Sequence, residues 1–444
     1  MRFVETIKNI WKIEDLRKRL CYTFMLVVIY RFGCYILLPG LTPTDVKPLQ
    51  EFTSNGLMQL VDMFSGGAFS QASIFALGIM PYITASIVIQ LLGIILPSFK
   101  KLQQEGESGR MKLNQYTRYL TVAILLLQGP AYLATLGYQI AQAGGAVTFT
   151  FITYVYYTII LAAGSMFIMW LGEKITDRGV GNGISFIILV GIIARLPLAF
   201  VQEFTNRLTS AQGGLVMFLV EVVILFAIIA CAVLLVQGIR KVPVQYAKRI
   251  VGNKQIGGAR QYIPLKVNAA NVMPIIFAQA IMFIPITVAG FNTANSSAFV
   301  RALSDMHGFW YNAVYFLLII AFTYFYTAIT VRPNDIADQL KRNNGFIPGV
   351  KPGKATAEYL DSIMSRITLP GSIFLGIVAI LPAIAKICGV SQQFSQFFGG
   401  TSLLILVGVV LDTLQQIESH LMMRHYDGLL KSGKIKGRTT GSMY

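Results

Sequence analysis

Charge is scarce in this chain of 444 residues: Asp, Glu, Lys and Arg make up 13% of it, and only 20 side chains are acidic. That is far below the charged fraction of an average soluble domain, which argues against a water-soluble globular fold. Histidine is nearly absent. His307, His420 and His425 fall in no HExxH or comparable metal-binding spacing. The four cysteines, Cys21, Cys34, Cys231 and Cys388, lie in or beside apolar runs without CxxC spacing and read as packing residues. There is no GxSxG nucleophile elbow and no Walker loop. Gly179, Gly181 and Gly183 around Asn182 do not match GxGxxG and read as a hinge. No catalytic residue, metal site or cofactor is expected.

What the chain has in abundance is apolar sequence, at 55% hydrophobic residues and a mean hydropathy of +0.61. A spanning helix needs about twenty apolar residues to cross a hydrocarbon core roughly 30 Å thick. Ten runs qualify, near 20–38, 74–96, 119–137, 151–171, 184–200, 215–236, 271–291, 310–330, 368–387 and 400–418. The first follows a basic segment, as a signal peptide would, but lacks a small-residue cleavage site and is read as retained. The expected class is an all-α integral membrane protein.

Orientation follows from the cations. Of the 37 Lys and Arg, 31 fall in the two terminal segments and the even-numbered loops, and only Lys47, Arg207, Arg301 and Lys386 fall in odd-numbered ones. Positive charge marks the cytoplasmic side, so both termini should be cytoplasmic. The net charge of +17 is therefore a topology signal first.

Residues 1–19 read as an amphipathic helix on the cytoplasmic leaflet, and 422–444 as a cytoplasmic tail. Three long loops interrupt the spans: 39–73 outside, 237–268 and 331–367 inside. Within the outer loop, Leu57, Leu60, Val61, Met63 and Phe64 form a short apolar face that runs into Ser65, Gly66, Gly67 and Ala68. This stretch is too short to span and should be re-entrant or buried, because irregular backbone at membrane depth needs protein or water around it. The spans divide into 20–200 and 201–421, five each. Two such halves sharing one fold must be inverted, with a pathway at their interface.

Ionisable groups inside the spans are few. Arg31 and Glu221 stand there and read as structural, whereas an ion-coupled transporter needs titrating or ion-binding groups near the midplane. An intramembrane hydrolase would need a Ser, His or paired Asp constellation, and none is present. Instead the spans carry isoleucines four apart, Ile79 with Ile83 and Ile184 with Ile188, each pair on one helix face. Alone, such pairs are ordinary packing.

Five blocks give these features a family. SGGAFSQASIFALGIMPYITASIVIQLL at 65–92, EGESGRMKLNQYTRY at 105–119, MFIMWLGEKITDRGVGNGIS at 166–185, VQYAKR and IPLKVN within 244–268, and FGGTSLLI at 398–405 resemble the SecY family in order and spacing. The resemblance spans nearly the whole chain. It implies ten helices in two inverted halves, a clamshell around an hourglass pore that a ring of aliphatic side chains closes at the midplane. The implied ring is Ile79, Ile83, Ile184, Ile188, Ile276 and Ile405. A plug at 57–70, including Leu60, Met63, Phe64, Ser65, Gly66 and Gly67, would fill the outer funnel. The second and seventh spans would form a lateral gate, with Thr84, Ile87, Gln90, Gln128, Asn268 and Ile284 as candidates beside it.

The inside loops would dock the ribosome and the motor ATPase SecA, with Arg240, Lys241, Lys248, Arg249 and Lys351 as contacts. The family usually has Arg at the position of Lys351, so that role is in question, because Lys lacks the planar fork. The implied partners are SecE and SecG in a heterotrimer, unfolded preprotein and signal-sequence substrates, and membrane lipid. The implied location is the bacterial cytoplasmic (inner) membrane.

Overall fold

With no water to take up backbone N–H and C=O groups, an apolar run at membrane depth must close its hydrogen bonds on itself. The computed structural model describes residues 11, 13–53, 58–142, 150–209, 214–246, 249–251, 254–256, 260–270, 272–288 and 308–431. Residues 1–10 and 12 of the amphipathic segment expected at 1–19, and residues 432–444 of the tail expected at 422–444, lie outside these residues, whereas 422–431 continue the last helix.

Each of the ten apolar runs falls on a helix. In chain order the helices are α1 Glu14–Gly33, α2 Pro43–Thr53, α3 Met58–Phe64, α4 Met80–Ile95, α5 Pro97–Gln104, α6 Glu107–Gln142, α7 Phe151–Arg178, α8 Gly183–Thr209 and α9 Gly214–Gln237. They continue with α10 Met273–Val288, α11 Phe309–Thr330, α12 Pro333–Arg342, α13 Lys354–Ile387, α14 Gln392–Ser395 and α15 Gly400–Lys431. Seven described helices are long and apolar enough to cross a membrane, or eight if α4 and α5, bent by 104°, form one span. Two expected spans fall short of that standard for local reasons. Helix α1 carries Arg17, Lys18, Arg19 and Arg31, and α10 is 16 residues long.

The second span begins later than its hydropathy suggests. Residues 65–79 are turns, and the helix starts only at Met80. Gly66 (φ +67°), Gly67 (φ +93°), Gly78 (φ +55°) and Ala72 (φ +45°) all adopt left-handed backbone, which breaks a right-handed helix however apolar the sequence.

The described residues form two compact units. One comprises the chain up to Thr53, Met58–Arg195 and the chain from Val409, and the other includes Leu196–Gly408. The core of the first gathers Leu38, Leu49, Phe69, Leu125, Leu133 and Leu161. Helix α2 enters this unit beneath a turn that the Asp45 carboxylate closes. The hydroxyl and N–H of Thr42 both donate to the Asp45 carboxylate, at 2.5 and 3.0 Å, and these bonds hold that carboxyl below its ordinary range.

In the second unit the loop at 237–268 is built of strands. β1 (Ile239–Tyr246) pairs antiparallel with β4 (Arg260–Lys266) from Ile239↔Lys266 to Gln245↔Arg260, and β2 (Arg249–Val251) pairs with β3 (Lys254–Ile256). β5 (Gly345–Phe346), from the other inside loop, joins β1 at Gln245↔Phe346. The cause is period-two alternation: Val242 and Val244 point into a cluster with Leu265, Leu340, Ile347, Leu360 and Met364.

Candidate functional site

The expected plug segment is held to neighbouring helices by side-chain hydrogen bonds and an ion pair. Helix α3 ends at Phe64, and Met63, Phe64, Ser65 and Ala68 are buried. Three main-chain carbonyls of the turn that follows accept from side chains on α1 and α6. Tyr30 Oη donates to Ser65 O at 3.2 Å, Arg31 Nη1 to Gly66 O at 2.9 Å, and Tyr132 Oη to Phe69 O at 2.9 Å. Arg31 also donates to Tyr35 Oη at 3.3 Å, so its guanidinium is engaged on both sides. Gly66 is also where this turn meets α8, because a Cβ there would lie 2.9 Å from Gly191 Cα.

Two charges that the sequence reading did not single out as a pair complete the fastening. Asp62 is 1% exposed and forms an ion pair with Arg195 of α8. The same guanidinium donates to Ser70 Oγ at 3.1 Å, while Ser70 N–H donates to Asp62 Oδ1 at 2.8 Å. A signal for this pair exists in the sequence: an acid within an apolar re-entrant segment and an Arg within a span must each find a partner.

The ring candidates are divided between the units. Ile79 caps the N-terminus of α4, with Ile83 one turn on, and Ile184 and Ile188 lie on the first turns of α8. Ile276 on α10 and Ile405 on α15 belong to the other unit. All six are buried or half-buried, and none is in the exposed class. Helix α8 starts where it does because Asn182 Oδ1 accepts from the N–H groups of Ile184 and Ser185, at 3.2 and 3.4 Å. The glycine turn before it, read from sequence as a hinge, is pinned. Val180 N–H donates to Thr23 Oγ1 and Gly181 N–H to Gln416 Oε1.

Among the gate candidates, Thr84 Oγ1 donates to Met80 O and Gln90 Nε2 to Ser86 Oγ, both within α4. Ile87 is buried and Gln128 is exposed. Asn268 is 4% exposed, and its Oδ1 has no hydrogen-bond partner among the described residues. The side chain of Ile284 lies outside the described residues.

Of the docking candidates, Arg240 and Lys241 stand exposed on β1, opposite Leu265 and Pro264. Lys351 is exposed on a turn between Gly349 (φ +86°) and Gly353 (φ +102°), and its carbonyl accepts from Thr356 Oγ1. Lys248 and the side chain of Arg249 lie outside the described residues.

The second unit has its own buried polar knot. Arg207, assigned from sequence to an outside loop, lies on α8, which runs nine residues past the expected end of the span. Its guanidinium binds Glu203 at 3.0 Å, Glu221 at 2.5 Å and the carbonyl of Gly389 at 2.7 Å, while Glu203 accepts from Ser391 N–H. Glu221 is therefore half of a buried ion pair. Among the described residues no group of three or more His, Cys, Asp and Glu is placed to hold a metal ion.

The SecY family model matches residues 73–414. The SecY protein translocase subunit of Streptomyces scabiei is 44% identical over 436 residues, covering 95% of this chain and 98% of that one. The subunit of Mycobacterium bovis is 40% identical over 452 residues, covering 97% and 99%. A solved SecY structure, described for a plug domain that stabilises the closed channel and maintains a membrane seal, superposes with a TM-score of 0.63. It is 18% identical and covers 96% of this chain and 95% of its own. Canine Sec61 in a ribosome–channel complex superposes with a TM-score of 0.56 at 16% identity, with the same coverage. The chain belongs to the SecY family of protein translocase subunits.

Proposed function

We propose that this subunit is the passive, gated conduit of a bacterial translocase in the cytoplasmic membrane, with both termini inside. Unfolded preprotein threads it, and signal sequences and transmembrane segments leave sideways into lipid between α4 and α10. SecE and SecG complete the heterotrimer, and the ribosome or SecA supplies the drive. The likeness to a ribosome-bound channel supports the ribosome as a partner.

The observation that carries this reading is the chemistry of the 65–78 segment: largely buried, irregular, and fastened to α1 and α6 through its own carbonyls. Such hydrogen bonds exchange for bonds to water at a net cost of about 1 kcal/mol each, so a segment held this way can leave and return. A stopper built as a continuous apolar helix would instead have to expose its packing face. The isoleucines add a second barrier. A constriction without polar groups dewets and blocks ions, while flexible aliphatic chains close around polypeptide of any sequence.

The test replaces Ile79, Ile83 and Ile184 with Gly in reconstituted vesicles. Resting ion leak should rise severalfold while preprotein transport persists. An unchanged leak removes the ring assignment.

A further inference from the structure

We propose that Asp62 and Arg195 form an ionic latch that sets how often the plug leaves its seat, a reading that rests on the plug assignment above. Asp62 lies on α3, within the segment that would move, whereas Arg195 lies on α8, among the spanning helices. The pair closes a ring of contacts. Arg195 binds the Asp62 carboxylate and Ser70 Oγ, Ser70 N–H binds Asp62, and Ser70 Oγ donates to Gly67 O at 3.1 Å. Asp62, Gly67 and Ser70 are thereby tied to one guanidinium or to each other.

The burial of the pair is unequal. The Asp62 side chain is 1% exposed and that of Arg195 is 30% exposed. The carboxylate therefore depends on its cation while the plug is seated, and leaving the seat gives both charges to water. A buried ion whose partner is removed is strongly disfavoured. Neutralising Arg195 should thus weaken the seated state more than an ordinary broken hydrogen bond would. The two side chains are coupled, so their effects should not add.

A double-mutant cycle measures this with the full chain reconstituted beside its partner subunits. Asp62→Asn should raise resting ion leak about tenfold, equivalent to roughly 1.4 kcal/mol on the seated state, and Arg195→Gln, which strands the buried carboxylate, should raise it further. The double variant should leak no more than either single one. Leak that multiplies in the double variant, or that stays at the wild-type level in both singles, overturns the latch. Should a neutral variant fail to accumulate in the membrane, the charge-retaining pair Asp62→Glu with Arg195→Lys decides: leak within about twofold of wild type supports the latch, and a tenfold rise overturns it.

A separate arm guards the plug reading itself. The native Cys34 Sγ lies 4.0 Å from the main-chain oxygen of Ser65, so Ser65→Cys is screened for a disulfide with Cys34, its yield measured by thiol titration before transport is read. Full oxidation should stop preprotein transport, with recovery on reduction. Transport that continues with the pair fully oxidised removes the plug assignment, whatever the cycle shows.

Discussion

Gly66 illustrates how much of this machine rests on single residues. Its φ of +67° lies in the left-handed region, and a Cβ there would meet both Gly191 Cα, at 2.9 Å, and Arg31 Nη1, at 2.8 Å. Either condition alone selects against a side chain, and the left-handed backbone costs an L-residue about 1–2 kcal/mol. Gly66→Ala should therefore unseat the turn rather than unfold the spans. Resting leak through reconstituted channels is expected to rise, with thermal unfolding of the helices little changed. A lowered unfolding temperature with no added leak would show that Gly66 serves packing alone. The glycines were visible in the sequence, but the need for them was not, because the backbone they approach lies on a helix far along the chain.

At the scale of elements, the spans were legible and the inside loops were not. Hydropathy over about twenty residues reports burial in lipid directly, so the expected runs fall on described helices, seven or eight of which are long and apolar enough to cross. The strand pairing of β1 with β4 and β5 depends on Val242, Val244 and Leu265 meeting Leu340, Leu360 and Met364 from a distant loop, which no local window contains. This sheet gives the docking proposal a form. Arg240 and Lys241 project from a paired strand whose inward residues are apolar, so their charge can be removed without disturbing its core. Arg240→Ser with Lys241→Ser should leave the fold intact while flattening the salt dependence of ribosome binding, by about one unit of slope for each phosphate no longer neutralised. Unchanged affinity and slope would leave these cations as topology signals only.

For the whole molecule, orientation is the property that the distribution of charge predicts. The 31 Lys and Arg assigned to one side predict that an impermeant thiol reagent applied to intact cells labels Thr44→Cys and leaves Lys436→Cys unlabelled, in a chain whose native cysteines are replaced by Ser. Labelling of the C-terminal position from outside would invert the topology and with it the assignment of every loop. Membrane class and the positions of the spans could be read without a structure, because burial in lipid and cation bias are sums over neighbouring residues. The partners of the few intramembrane charges could not. Arg195 and Ser70 stand 125 residues apart, and Arg207 and Gly389 stand 182 apart. Only packing of the helices decides which buried charge meets which, and an unpaired charge in that medium is too costly to be left to chance.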